Sequence, residues 1–256
     1  MLEGLFQQSI EASERRQRHI SESNLVDKIT GMTAPLDVYQ HLASAKHIKL
    51  IAEIKRASPS KGHLAVIPDA GLQAKLYEDS GAHAISILTE ESGFAGSLDD
   101  LYAARRAVAI PLLRKDFIST EYQILEARAA GADFVLLILA WLSPQRYAEL
   151  LKFAEELGMG VLTETHSLSE IETANRFGAR LIGINTRNLD TFATDIGLFE
   201  TMASALSAGA IKVAESSVKS VDDVKRYREA GADVVLVGEA LVIGKPDALI
   251  PQFTSV

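Results

Sequence analysis

The chain has 256 residues, 47% of them apolar and 23% charged, with a net charge of −8 and no cysteine. That composition provides for a sizeable core and, at this length, for one (β/α)₈ barrel of the usual ~250 residues. It excludes a disulfide framework and thiolate chemistry, and the interspersed charges leave no basic stripe for nucleic acid.

The opening "MLEGLFQQSIEASERRQRH" is charged and lacks the apolar core of a signal peptide. The longest apolar run, "FVLLILAWL" (134–142), is about half of a membrane span. A cytoplasmic protein with no membrane or nucleic-acid partner is therefore expected. An amphipathic helix is predicted over 3–20 and a shorter one over 36–45, after Pro35. These first 47 residues precede the first strand and form an N-terminal helical extension. They would either cap the open mouth of a barrel or plug its floor, and both readings stay open.

From residue 48 the chain alternates. Short β-rich runs occupy 48–55, 84–89, 110–116, 133–140, 159–166, 180–186, 211–217 and 233–240. Segments of helical spacing lie between them, for example 72–82, 146–158 and 222–232. Eight strands with crossovers of this kind predict parallel pairing. A weak repeat, "SGAH" (80–83), "AGAD" (130–133), "FGAR" (177–180) and "AGAD" (230–233), precedes every second strand. Its Gly suits a left-handed helix C-cap and its Ala a tight turn into the strand. An open doubly wound sheet shares the alternation, but strand number and length together favour an α/β (β/α)₈ TIM barrel, with 1–256 as a single barrel domain.

Barrel chemistry sits at the C-terminal ends of the strands. Those ends carry Glu53 and Lys55, Lys115, Glu164, Asn185 and Arg187, and Glu215 and Ser216. Strand periodicity puts Glu53 and Lys55 on one side. If that side is the lumen, Leu113, Leu162 and Val213 fill barrel layers below Lys115, Glu164 and Glu215. Charges crowded there would push one another's pKa values apart, so that one site holds both an acid and a base. The loops "ESSVKS" (215–220) and "GEALVIG" (238–244) follow the seventh and eighth strands, where barrels bind phosphate. Ser216, Ser217 and Gly238 are small enough for close approach there, and Lys55 is a cationic partner. The histidines, His166 among them, show no metal-ligand spacing and read as surface or packing residues. Trp141 reads as a rim or packing residue. No P-loop, GxGxxG or GxSxG stretch occurs, so no nucleotide cofactor and no metal are expected.

The strings "IAEIKRASPSKG" (51–62), "ILTEESGFAGSLDDL" (87–101), "PLLRKDFI" (111–118), "LTETH" (162–166), "GINTRNL" (183–189), "VAESS" (213–217) and "LVGEAL" (236–241) together resemble the indole-3-glycerol-phosphate synthases of tryptophan biosynthesis. The resemblance runs over the whole barrel and extends to the length and place of the N-terminal segment. It implies a carboxy-lyase that needs no cofactor. The implied substrate is 1-(2-carboxyphenylamino)-1-deoxyribulose 5-phosphate, and the products are indole-3-glycerol phosphate, carbon dioxide and water. It implies Lys115 as the acid that protonates the sugar carbonyl and Glu164 as the base of the dehydration. Lys55 or Glu53 would help water to leave. Asn185 would orient the sugar and ring, and Glu215 would hold a sugar hydroxyl and position Lys115 or Asn185. Arg187 would face the anthranilate carboxylate. Phe94, Phe117 and Leu189 would sandwich the ring, and Lys55, Ser58, Ser216 and Gly238 would bind phosphate. A monomer is expected.

This chain departs from the family pattern in places. Ser217 stands where Gly is usual, Ala95 where Gly is frequent, and Thr186, expected to point outward, where Asn is common. Two other readings compete: the sister isomerase of phosphoribosylanthranilate, which wants a carboxylate and a Cys or Asp base at the first and mid-barrel strands, whereas this chain has no Cys and carries Glu53 and Lys55 instead, and a barrel that binds phosphorylated ligands without turnover. The second predicts loss of the charged set, yet every expected charge is present.

Overall fold

The computed structural model describes residues 2–188 and 193–256. Strands β1 (Lys49–Ile54), β2 (Ala84–Leu88), β3 (Leu112–Lys115), β4 (Phe134–Ile138), β5 (Gly160–Thr165), β6 (Leu181–Asn185), β7 (Ile211–Glu215) and β8 (Val234–Val237) each pair in parallel with the next. β8 pairs with β1, Ile51 opposite Leu236, and the ring closes. The helices are α1 (Leu2–Gln17), α2 (Glu22–Thr30), α3 (Val38–Leu42), α4 (Ala70–Asp79), α5 (Leu98–Ala107), α6 (Glu121–Ala129), α7 (Pro144–Glu156), α8 (Leu168–Arg176), α9 (Ile196–Met202), α10 (Val221–Glu229), α11 (Glu239–Ile243) and α12 (Pro246–Thr254). The eight predicted strands are all present, each within its predicted run.

The repeat before the even strands is a helix stop. Gly81, Gly131, Gly178 and Gly231 have φ of 100°, 92°, 72° and 94°. The following Ala N–H returns to the carbonyl of Tyr77, Ala127, Ala174 or Tyr227, closing a Schellman turn that feeds the strand. A fifth copy hides in "LGMG": Gly158 has φ 73° and the Met159 N–H reaches the Ala154 carbonyl at 3.0 Å.

Period-two alternation sorts the strand residues into two apolar bodies. Ile51, Leu113, Leu162 and Val213 lie in the barrel lumen, as the strand-end reading required, with Phe134 and Leu236. Their chain neighbours, such as Leu50, Leu112, Val161 and Ala214, face the helices.

The N-terminal segment serves both ends of the barrel. Val38 and Leu42 of α3 join the lumen cluster from below, and a Cβ at Gly160 would lie 2.3 Å from Val38. Leu5 and Phe6 of α1 join it from above. The Phe6 ring lies 5.3 Å from Phe117 and 5.5 Å from Trp141. The predicted helix over 3–20 is α1, and that over 36–45 shortens to α3. Between them α2 was not foreseen; it is capped by Ser21 and rests Leu25 on Tyr122 and Leu125 of α6.

Candidate active site

Four side chains from the odd-numbered strands form the uppermost layer of the lumen. They are Glu53 of β1, Lys115 of β3, Glu164 of β5 and Glu215 of β7. Each stands two residues above an apolar lumen residue, so this is a barrel layer in which charge replaces Val, Ile or Leu. Lys115 Nζ sits on the axis, 2.9 Å from Glu215 Oε2, 3.7 Å from Glu53 Oε2 and 3.8 Å from Glu164 Oε2. Lys55 Nζ pairs with the other oxygen of Glu53 at 2.7 Å. Glycines on β6 and just after β8 make the room. A Cβ at Gly183 of β6 would lie 2.0 Å from Glu215 Oε1, and one at Gly238 would lie 2.3 Å from Glu53 Oε1.

The electrostatics follow from burial among unlike charges. Burial disfavours the Lys115 ammonium, but Glu215, Glu53 and Glu164 outweigh it and hold its pKa above the ordinary lysine range. Burial pushes Glu53 up, yet Lys55 and Lys115 bring it below the usual range. Glu164 is likewise pushed up by burial, but His166, Lys115 and Asn185 draw it down to about 2. Glu215 goes the other way: burial and the nearby Glu164 outweigh Lys115 and raise it. The layer thus holds a firmly protonated amine beside a firmly ionised carboxylate. Asn185 links the layer to the mouth: its Nδ2 donates to Glu164 Oε1 at 3.1 Å, and its Oδ1 accepts from Ser216 Oγ at 2.8 Å and the Arg187 N–H at 3.1 Å.

Above the layer opens a cavity of about 730 Å³. Glu53, Lys55, Ser58, Phe94, Lys115, Phe117, Glu164, Asn185, Arg187, Ser216, Ser217 and Gly238 all line it. Ser58 arrives on a two-stranded ribbon, Ala57–Ser58 against Gly62–His63, whose turn residue Lys61 is paired with Glu239 of α11. The apolar wall comes from the loops after β2, β3 and β4, opposite those after β7 and β8. Phe94 and Phe117 stand 6.4 Å apart, and Trp141 lines the cavity beside them. Glu90 shapes the Phe94 loop by accepting the N–H groups of Ser92, Gly93 and Phe94. Ala95 and Ser217, both at positions where the family favours Gly, adopt left-handed φ of 53° and 64°. Thr186 points away from the lumen as expected, into contact with Ser217 and Tyr227.

Two predicted residues stand apart. Glu215 is 1% exposed and does not line the cavity; it lies beneath Lys115, against Gly183. Leu189 lies outside the described residues. Two contributions went unread in the sequence. His166, read from the sequence as a surface or packing residue, is half-buried with both ring nitrogens shielded, Nε2 3.2 Å from Glu164 Oε1 and Nδ1 3.6 Å from Glu170 Oε2, ionic contacts without hydrogen-bond geometry. Burial opposes its charge, but Glu164 and Glu170 raise its pKa to about 10. The legible signal was its spacing, two residues beyond Glu164. The second is Asp116, which accepts from Ser9 of α1 at 2.7 Å, Thr89 at 2.6 Å and Arg114 at 3.0 Å, and so ties α1 to the strand that carries Lys115. Among the described residues no group of His, Asp and Glu is arranged to hold a metal ion.

Fold and site together define a (β/α)₈ barrel protein built for proton-transfer chemistry at its mouth. Comparison with known proteins makes this particular. The family model described as "Indole-3-glycerol phosphate synthase" matches residues 3–249, and the chain belongs to that family. The indole-3-glycerol phosphate synthase of Leifsonia xyli subsp. xyli is 49% identical over 256 residues, covering 100% of this chain and 98% of the relative. That of Micrococcus luteus is 47% identical, covering 94% and 91% respectively. That of Mycolicibacterium gilvum is 50% identical, covering 94% and 88%. Among solved structures, 3-hexulose-6-phosphate synthase from Salmonella typhimurium superposes with a TM-score of 0.66 at 18% identity, over 81% of this chain and 97% of that one, a likeness of fold alone.

Proposed function

We propose that this cavity closes 1-(2-carboxyphenylamino)-1-deoxyribulose 5-phosphate to indole-3-glycerol phosphate, in tryptophan biosynthesis. The observation that carries the reading is the Lys115 ammonium, centred among three carboxylates directly below a cavity with an aromatic wall on one side and small, cation-flanked loops on the other.

The substrate lies with its ring against Phe94 and Phe117 and its phosphate near Lys55, Ser58, Ser216, Ser217 and Gly238. Arg187 faces the ring carboxylate, and Asn185 orients the sugar. The ring carbon that bears the carboxylate attacks the C2 carbonyl, and Lys115 gives its proton to the oxygen as charge develops there. Carbon dioxide leaves, and its electron pair restores the aromatic ring. The former carbonyl oxygen, now a hydroxyl, departs as water with a proton from Lys55 or from the Glu53–Lys55 pair. Glu164 takes the proton that the sugar carbon gives up. Glu215 acts from below, holding Lys115 on the axis rather than touching a sugar hydroxyl. Folding the two reacting carbons together accounts for a large part of the acceleration. These steps move protons and carbon dioxide and require no electron carrier. The chain is taken to work as one barrel unit, a monomer in the cytoplasm. No described helix is long and apolar enough to cross a membrane.

The test is direct. Purified protein is given the carboxyphenylamino sugar phosphate, and indole fluorescence is followed. Folded protein at high concentration that produces no indole signal overturns the reading.

A further inference from the structure

The loop after β7 holds two consecutive residues in a conformation that side chains disfavour. Ser216 has φ 71° and Ser217 φ 64°, and both line the cavity. Left-handed backbone costs an L-residue roughly 1–2 kcal/mol, and such strain persists only where the surroundings over-determine it. The surroundings here are three hydroxyls. Ser217 Oγ lies 2.7 Å from Thr186 Oγ1, and Thr186 Oγ1 lies 3.1 Å from the Tyr227 hydroxyl. Thr186 Oγ1 also donates to the Glu215 carbonyl at 3.0 Å, and the Tyr227 hydroxyl reaches the Ser216 carbonyl at 3.3 Å.

Counting protons sets the direction of the chain, because each hydroxyl has only one to give. Thr186 spends its proton on the Glu215 carbonyl, so it must accept from Ser217. The Ser217 hydroxyl is thereby committed to Thr186 rather than to a guest in the cavity. Tyr227 donates to Thr186 or to the Ser216 carbonyl, and either contact holds the same bend. Both groups that hold Ser217 are anchored. Thr186 is 1% exposed, and Tyr227 of α10 is fully buried with its ring edge-on to Phe199 of α9 at 5.3 Å. Ser216, the other bent residue, is held from the lumen side by Asn185.

We propose that Thr186 and Tyr227 are positioning residues for the phosphate end of the substrate: with Ser217 they form a hydroxyl clasp that keeps the β7 loop in its left-handed bend before the anion arrives. This rests on the placement of phosphate at that loop given above. A preset bend turns backbone N–H groups toward one side without an ordering step at binding. Thr186 and Tyr227 do not line the cavity, so they act on affinity through the loop, not on the reacting carbons.

Glycine provides the decisive comparison, because it adopts the bend without help. Ser217→Ala keeps the Cβ strain and loses the clasp. It should weaken inorganic phosphate, titrated calorimetrically, and raise KM for the sugar phosphate, each about tenfold, with a smaller change in kcat. Ser217→Gly should bind inorganic phosphate much more tightly than Ser217→Ala. Tyr227→Phe keeps the ring and its packing. It should weaken phosphate in the Ser217 protein and leave it unaltered when residue 217 is glycine. Thr186→Val should follow the same rule and Thr186→Ser should restore binding; should Thr186→Val not fold, Tyr227→Phe carries the test.

Ser217→Gly binding as poorly as Ser217→Ala, or Tyr227→Phe acting equally in both backgrounds, overturns the clasp. The clasp and the reaction fail separately. A parent protein that forms no indole but binds inorganic phosphate with this pattern keeps the clasp and loses the reaction. One that forms indole while Ser217→Ala leaves both phosphate affinity and KM unmoved loses the clasp alone.

Discussion

The two ends of this barrel are built on one backbone pattern and put to opposite uses. At the floor the lumen closes on Phe134, Gly160 and the α3 residues Val38 and Leu42, all apolar. At the mouth the same alternation continues for one more step and sets Glu53, Lys115, Glu164 and Glu215 in a ring. Burial of apolar area is its own reward at the floor. At the mouth burial disfavours every charge, and only mutual pairing holds the set together. The lesson is that site and core here are successive layers of a single stack, so function is purchased where stability would otherwise be gained.

Loss of the central cation should have the largest effect at the mouth. Lys115→Met keeps the length of the side chain and deletes the proposed acid; kcat should fall about 10²–10⁴-fold. It also strands three carboxylates without their shared partner. The pKa values of those carboxylates should rise, so the variant's melting temperature should fall more steeply than the parent's as pH rises from acid to neutral. Full activity in Lys115→Met would remove the acid assignment. The floor gives the converse. Leu42 is fully buried, and Leu42→Ala should cost about 2–5 kcal/mol by denaturant titration, while the folded fraction turns over near the parent rate.

Much of this layout is legible in the sequence. The β-rich runs of β1, β3, β5, β6 and β7 end with a charge or an amide, and period two alone put Leu113 under Lys115 and Leu162 under Glu164. What period two lacks is depth. It placed Glu215 on the correct side but could not tell that the carboxylate lies under the lysine; the clue is a glycine, Gly183, on the neighbouring strand. Nor could it separate the mouth from the floor for the N-terminal helices. Phe6 and Leu42 are both apolar residues of amphipathic segments, and only the closed ring decides which end each one meets. α2 escaped because it buries little beyond Leu25 and reads as a polar stretch. The Thr186–Ser217 contact joins positions 31 residues apart, which no local pattern reports.

Two glycines sharpen the contrast at equal cost. A Cβ at Gly160 would meet Val38 at 2.3 Å, and one at Gly183 would meet Glu215 Oε1 at 2.0 Å. Both Gly160→Ala and Gly183→Ala overpack the lumen and should lose about 1–3 kcal/mol. Only Gly183→Ala displaces the carboxyl that holds Lys115, so only it should change the pH profile of kcat. Identical profiles for the two variants would show that Glu215 does not govern the lysine.

The smallest effect tests whether the mouth's charges stabilise one another as drawn. His166 is held protonated by Glu164 and Glu170 despite burial, with its pKa raised to about 10 in the folded chain. An unfolded histidine titrates near ~6.5. A raised folded pKa means stability that is fully present below the unfolded value and lost as pH climbs through the folded one. The parent should therefore lose stability between roughly pH 6.5 and 10, and His166→Gln should flatten that part of the melting-temperature curve. The same substitution removes a cation that helps to draw the Glu164 carboxyl down to about 2. The acid limb of kcat/KM should then move to higher pH, since a base whose pKa rises needs a higher pH to be ionised. A variant that flattens the stability curve but leaves the acid limb in place would mean that His166 braces the fold while Lys115 and Asn185 alone keep Glu164 ionised. A variant that moves neither would mean that the imidazole is neutral, and that burial rather than the two flanking carboxylates decides its charge.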